Sequence, residues 1–158
     1  MSAESEDWLA PIIDRVVSEV KQSGYFAKVN GFEAVRSAGP RVSLFASVWV
    51  QDIEPVKIGG LAATSARILF IVRMYASIMP YPRDDVDPSL LRACSNLMRR
   101  FHDDFDFGGI IRNVDLLGEQ GIALRAEAGY IDLDANTKFR VMDLWVPCLV
   151  NDVWAQVS

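Results

Sequence analysis

The segment 65–75 restricts the fold most strongly, because one of its alternating faces is wholly apolar and the other combines apolar residues with two arginines. Side chains of a β-strand alternate between the two faces of its sheet. The even positions are all apolar: Ala66, Ile68, Phe70, Val72 and Met74. The odd positions mix apolar, aromatic and charged residues: Ser65, Arg67, Leu69, Ile71, Arg73 and Tyr75. The pattern predicts a central strand with a hydrophobic core on one face and a second face that carries two arginines.

Three other segments show a similar alternation, at residues 41–54, 122–131 and 138–150. Apolar residues spaced by three and four predict two amphipathic helices, one over 6–23 and one from Pro88 to about Phe101. Two helices cover only one face of a sheet. We therefore expect a single α+β domain over 1–158, with a mostly antiparallel sheet of about four long strands and both helices on one face.

The helix ends have recognisable signals. Ser5 is a plausible N-cap of the first helix and Gly24 suits its left-handed stop, although Pro11 favours a later start. For the second helix, Asp87 is the predicted N-cap and Pro88 the first helical residue.

Charge and composition exclude some classes of protein. The net charge of -5 disfavours a sequence-independent grip on nucleic acid, because an acidic surface repels phosphate. The sequence has no apolar run of the ~20 residues that a membrane span needs, and its acidic start does not resemble a signal peptide. We expect a protein made in the cytoplasm, with Cys94 and Cys148 reduced and buried.

The second sheet face has an unusual composition. Aromatic residues and arginines with a few matching acids are typical of protein–protein contacts. Trp49, Arg67, Arg73, Tyr75 and Trp145 are therefore predicted contact residues. The alternative is a half-solvated face with scattered apolar residues, which is common on protein surfaces.

Candidate catalytic and metal-binding residues are few. His102 is the only histidine, and the sequence does not place a nucleophile beside it. The acidic run at 102–106 is interpreted as a solvated loop. Asp132 begins a stretch like a calcium loop, but Thr137 and Asp143 replace the required Gly and Glu. Gly59-Gly60 lacks a phosphate-loop pattern. We predict no enzyme activity, no cofactor and no metal site.

Several strings resemble a known family: VWVQDIEPVKIGGLAATSARILFIVRMY, GGIIRNVDLLGEQGIALRAEAGYIDLDANTKFRVMDLWVPCLVNDVW and the amphipathic first helix. Over roughly 12–154 the chain is similar to tail terminator proteins of long-tailed bacteriophages, especially those infecting actinobacteria. GLAATSAR, GIIRNVDLLG and VNDVW are the most specific of these strings.

The resemblance implies a structural virion protein at the tail–neck junction. Such a protein forms a ring, expected to be hexameric, on the head-proximal end of the tail tube. The ring stops tube polymerisation and docks the head–tail connector, while DNA passes through its lumen without specific binding. Ring closure needs heterologous contacts between copies. The predicted subunit or partner contacts are Trp49, Lys57, Ile58, Leu61, Arg67, Arg73, Tyr75, Arg125 and Trp145.

Three alternatives remain open from the sequence. The first is a head-side neck protein that completes or plugs the portal. The second is a small enzyme that uses His102 with Asp103 or Asp104. The third is a regulatory module that binds nucleic acid, which the acidic charge disfavours.

Overall fold

The structure is a computed structural model that describes residues 7–33, 44–58, 63–77, 83–134 and 137–155, without the side chains at 77, 83–87, 133, 134 and 137. Its elements in chain order are α1 (Ala10–Gln22), β1 (Lys28–Asn30), β2 (Phe45–Val56), β3 (Ala63–Ser77), α2 (Arg83–Asp103), β4 (Asn113–Val114), β5 (Arg125–Asp134) and β6 (Thr137–Ala155). A short 3-10 helix, Phe107–Gly109, precedes β4.

The described strands form one six-stranded sheet in the order β1-β2-β3-β6-β4, and β5 also pairs with β6. The α+β class is confirmed. The expectation of a mostly antiparallel sheet of four strands was wrong, because the sheet is mixed and curled: β1 runs parallel to β2. β1 and β4 have three and two residues, too few for a two-residue alternation to be recognised.

Helix α1 begins at Ala10 and places Pro11 in its first turn, as proline requires. The expected start near Glu6, with Ser5 as N-cap, lies outside the described residues. Gly24 has a φ of 80°, which confirms the prediction that a residue of left-handed conformation ends this helix.

Helix α2 begins at Arg83, earlier than expected, so Pro88 lies inside the helix instead of at its first position. Asp87 is therefore not the N-cap. Because proline has no N–H, the helix lacks the backbone hydrogen bond that residue 88 would donate one turn back.

The main core lies between the helices and one sheet face. Val16 and Val20 from α1 and Leu97 and Phe101 from α2 are fully buried against it. The sheet contributes four of the predicted even positions of β3, from Ile68 to Met74, together with Ala46, Val48, Leu144, Val146 and Cys148. The alternation in the sequence therefore identified this core face correctly.

The other face has a smaller core of its own. Phe45, Tyr75, Phe139 and Val141 form a second buried cluster, in which the rings of Phe45 and Tyr75 stack at 4.4 Å between centroids. The second face is thus partly closed by this chain itself.

Candidate functional site

Arg67 is a buried residue, 5% exposed, on the second face of β3. Its Nη2 lies 2.9 Å from Oε2 of Glu54 on the neighbouring strand. Its Nη1 donates a hydrogen bond of 3.2 Å to the carbonyl of Gln120. A buried guanidinium needs such partners. Arg67 therefore links the C-terminal part of β2 to the 115–124 segment, and little of its side chain is accessible to a partner protein.

Arg73 lies further along the same face and is also engaged within the chain. Its Nε and Nη2 donate to the two carboxylate oxygens of Asp143 at 2.7 and 2.9 Å. This hydrogen bonding raises the pKa of Arg73 above its ordinary value. The guanidinium also lies 5.2 Å from the centroid of the Trp49 ring. The Arg73–Asp143 pair is a fixed part of the surface.

Strand register places these charges in a polar row across the sheet. The row runs through β1, β2, β3, β6 and β5 and contains Asn30, Ser47, Arg73, Asp143 and Glu127. The next row, towards the C-terminal end of β2, contains Trp49, Ile71, Trp145 and Arg125. Polar and aromatic bands therefore lie side by side on the second face.

A groove of about 620 Å³ opens over the aromatic band. Leu69 and Ile71 lie in its floor, and the half-buried rings of Trp49 and Trp145 line it. The guanidinium of Arg125 stacks on Trp145 at 3.6 Å from the ring centroid. The groove combines an apolar floor with a rim of arginines that are paired with acids, a composition found at protein–protein interfaces.

The other predicted contact residues lie elsewhere. Tyr75 is fully buried in the small second core. Lys57 is exposed just after β2, and the partly buried Ile58 accepts a hydrogen bond of 2.7 Å from the Ser65 hydroxyl through its carbonyl. Leu61 and Gly59-Gly60 lie outside the described residues. The structure thus brings four of the predicted residues together at the groove: Trp49, Arg73, Arg125 and Trp145.

His102 and its neighbouring acids have separate partners. The His102 Nδ1 donates to the Met98 carbonyl at 2.7 Å. Asp103 lies 3.9 Å from Arg99, and Asp104 accepts a hydrogen bond from Arg15 on α1. These contacts do not assemble an acid–base pair around the histidine.

The calcium-loop stretch lies partly outside the described residues, which omit 135 and 136. Asp143 occupies its twelfth position and is committed to Arg73. Among the residues that are described, no group of three or more His, Cys, Asp or Glu side chains has a metal-binding arrangement. Within the same part of the chain, no helix has the length and apolarity to span a bilayer.

Both cysteines are buried free thiols. Burial raises the pKa of Cys94 to about 11 and also raises the pKa of Cys148. Because the thiolate is the reactive form, neither residue suits nucleophilic chemistry.

Sequence reasoning did not single out the turn that follows β4. Asp115 is buried, and its carboxylate accepts the backbone N–H groups of Glu119 and Gln120, both at 2.8 Å. Leu117, at the tip of this turn, is 85% exposed. An Asp followed by Gly118 and Gly121 was the available signal, since such residues favour tight turns.

No protein-family model matches the sequence, and no curated protein is significantly similar to it.

Proposed function

We propose that this chain is a structural virion protein, a tail terminator that forms a ring on the head-proximal end of a phage tail tube. The ring, proposed to be hexameric, stops tube polymerisation and provides the docking surface for the head–tail connector. DNA passes through its lumen without specific binding. The tail tube protein and the connector are its proposed neighbours at the tail–neck junction.

The groove on the second sheet face carries this proposal. Its two tryptophans are held by arginines, Arg73 near Trp49 and Arg125 on Trp145, and Asp143 fixes Arg73 in turn. An aromatic surface that is rigid before binding loses little conformational entropy on association. This supports a function in assembly, and the resemblance of GLAATSAR, GIIRNVDLLG and VNDVW supports the tail terminator family in particular.

The experiment that tests the function is deletion of the gene from the phage that encodes it. We expect tails longer than the normal length together with unjoined full heads, because the tube lacks its stop. Supplying the protein from a plasmid should restore normal tails. Normal-length headless tails in the deletion mutant would instead favour the head-side neck protein, because a missing head protein leaves tail termination intact.

A further inference from the structure

The turn between β4 and β5 is a preformed projection. The Asp115 carboxylate accepts two backbone hydrogen bonds within the turn. The Leu124 N–H donates a further hydrogen bond of 3.2 Å to the Asp115 carbonyl. Gly118 has a φ of 78° and Gly121 a φ of 110°, conformations that favour glycine. The turn therefore has a defined shape before any partner binds.

The tip of this turn presents an apolar side chain beside an acid. Leu117 has the largest exposed fraction among the exposed large apolar residues of the described chain. Glu119, two residues later, is also exposed. We define Leu117 and Glu119 as the knob. An exposed leucine on an ordered turn is typical of a protein-binding surface. Its burial releases ordered water, and the turn loses little conformational entropy on binding.

The groove has the complementary chemistry. Its floor of Leu69 and Ile71 is apolar and its volume is about 620 Å³, more than one leucine side chain requires. Arg125 at its rim is half exposed and contacts Glu127 of its own strand through Nη2 alone, at 3.4 Å, so its guanidinium can pair with a second carboxylate that accompanies the leucine. The knob and the groove thus match in both polarity and charge.

The knob does not fill the groove of its own chain. Leu117 and Glu119 border a different depression, which Phe105 and Asn151 also line. Only the far end of the turn, from Gly121 to Ala123, reaches the groove wall. A contact between knob and groove therefore needs two copies of the chain.

We propose that the knob of one copy inserts into the groove of the next. Such a contact joins two different patches, so it is heterologous and closes a ring when its rotation divides a full turn. The proposal rests on the proposed function, for which it names the contact between ring subunits: Leu117 lies on the groove floor and Glu119 pairs with Arg125 across the interface.

Charge reversal tests the polar half of the contact. Glu119→Arg and Arg125→Glu should each lower the association constant between copies by roughly tenfold or more, because each places like charges together. The double variant should regain a large part of the lost association, less the repulsion that Arg125→Glu creates with Glu127 in its own chain. Arg99→Glu is the matched control, because Arg99 is a highly exposed arginine on α2 that lines neither the groove nor the depression beside the knob. Weakening that the double variant does not reverse would overturn the Glu119–Arg125 pairing.

Cysteine cross-linking tests the position of Leu117. A chain with Leu117→Cys and Gln51→Cys, the latter in the groove wall, is oxidised at high concentration and on tails. The native cysteines are buried and should not interfere. A ladder of covalent multimers from the double variant, and none from either single variant, is expected. Dimers from Leu117→Cys alone would indicate a symmetric contact and overturn the proposal.

The two proposals fail differently. Rings that cap tails normally but give no ladder, and that tolerate Leu117→Ser, would overturn the knob contact and leave the tail function intact. A ladder from a protein that has no effect on tails would support the contact and contradict the function. A chain that gives no ladder at high concentration or on tails would overturn the contact.

Discussion

Arg73 and Asp143 face each other in register on β3 and β6 and are joined by two hydrogen bonds, of 2.7 and 2.9 Å. The pair is mostly buried, with 18% and 23% of the two side chains exposed. It lies at the centre of the polar row and borders the groove. Arg73 thus shapes the surface while its Nε and Nη2 are already engaged by Asp143.

Arg73→Glu should destabilise the subunit. The substitution places a second carboxylate against Asp143 in a site with little water, and we expect a loss of about 3 kcal/mol in the free energy of unfolding. Urea denaturation measures the loss.

The control for this prediction is Arg99→Glu, since 80% of the Arg99 side chain is exposed and its partner Asp103 is 3.9 Å away. A change within about 0.5 kcal/mol is expected there. Equal stability of the Arg73→Glu variant and the control would show that the Arg73–Asp143 pair does not stabilise the sheet.

Asp115→Asn should loosen the turn that carries Leu117. The amide oxygen replaces only one of the two carboxylate oxygens that accept N–H groups at 2.8 Å, so one partly buried donor loses its partner. A loss of ~1–3 kcal/mol is expected. Urea denaturation and limited proteolysis at the turn measure it. A variant as stable and as protease-resistant as the wild type would contradict this role of Asp115.

Arg15 and Glu19 of α1 form ion pairs with Arg100 of α2 and with Asp104 just after it. These charged residues should make the free energy of unfolding depend on pH in two opposite ways. Asp104 is partly buried, which opposes ionisation, but the hydrogen bond and charge of Arg15 hold its pKa below the ordinary value. The folded protein therefore binds this proton more weakly than the unfolded chain does. Asp104 stabilises the fold above the ordinary aspartate pKa, and this stabilisation is lost as the pH falls through the lowered pKa.

Glu19 should act in the opposite sense. Burial raises the pKa of its carboxyl, although the charges of Arg100 and Arg15 lower it. The folded protein binds this proton more tightly, so its contribution is present below the ordinary glutamate pKa and is lost as the pH rises through the raised pKa.

Urea denaturation between about pH 3 and pH 7 separates the two effects. The stability advantage of wild type over Asp104→Asn should shrink as the pH falls. Over the same range, the stability of wild type relative to Glu19→Gln should increase. Parallel pH profiles for the two variants would contradict the assignment.

The native cysteines should resist alkylation. Burial raises the pKa values of both thiols and shields them, so a maleimide should react at least about tenfold more slowly with the folded protein than with the protein in urea. Mass spectrometry counts the adducts. The Leu117→Cys variant is the control, because its new thiol is exposed at the turn and should react at once. Rapid labelling of native Cys94 or Cys148 would contradict their burial.

The sequence identified the faces of the long strands, because alternation depends only on local spacing. It did not identify the pairing of β1 or β4, which is set by distant partners instead of by their own composition. The curl of the sheet was also missed, since register shifts beside Gln51 in β2 and Ser65 in β3 have no clear signal in residue order.

Burial separates the predicted contact residues of the second face into two groups. Composition grouped Arg67 and Tyr75 with the groove residues, since all of them lie on one face. Their burial depends on which strands and turns lie opposite them: Gln120 approaches Arg67, and Phe45 stacks on Tyr75. The exposure of Leu117 was not predicted, because a leucine in a short apolar run is expected to be buried.

The most direct measurement of the central claim is the position of this protein on purified phage particles. Gold-labelled antibody should bind one end of purified headless tails, at a single ring-shaped cap, and should not bind tailless heads. Label on tailless heads, or along the tube, or on no part of the particle, would contradict the proposal that this chain terminates the tail.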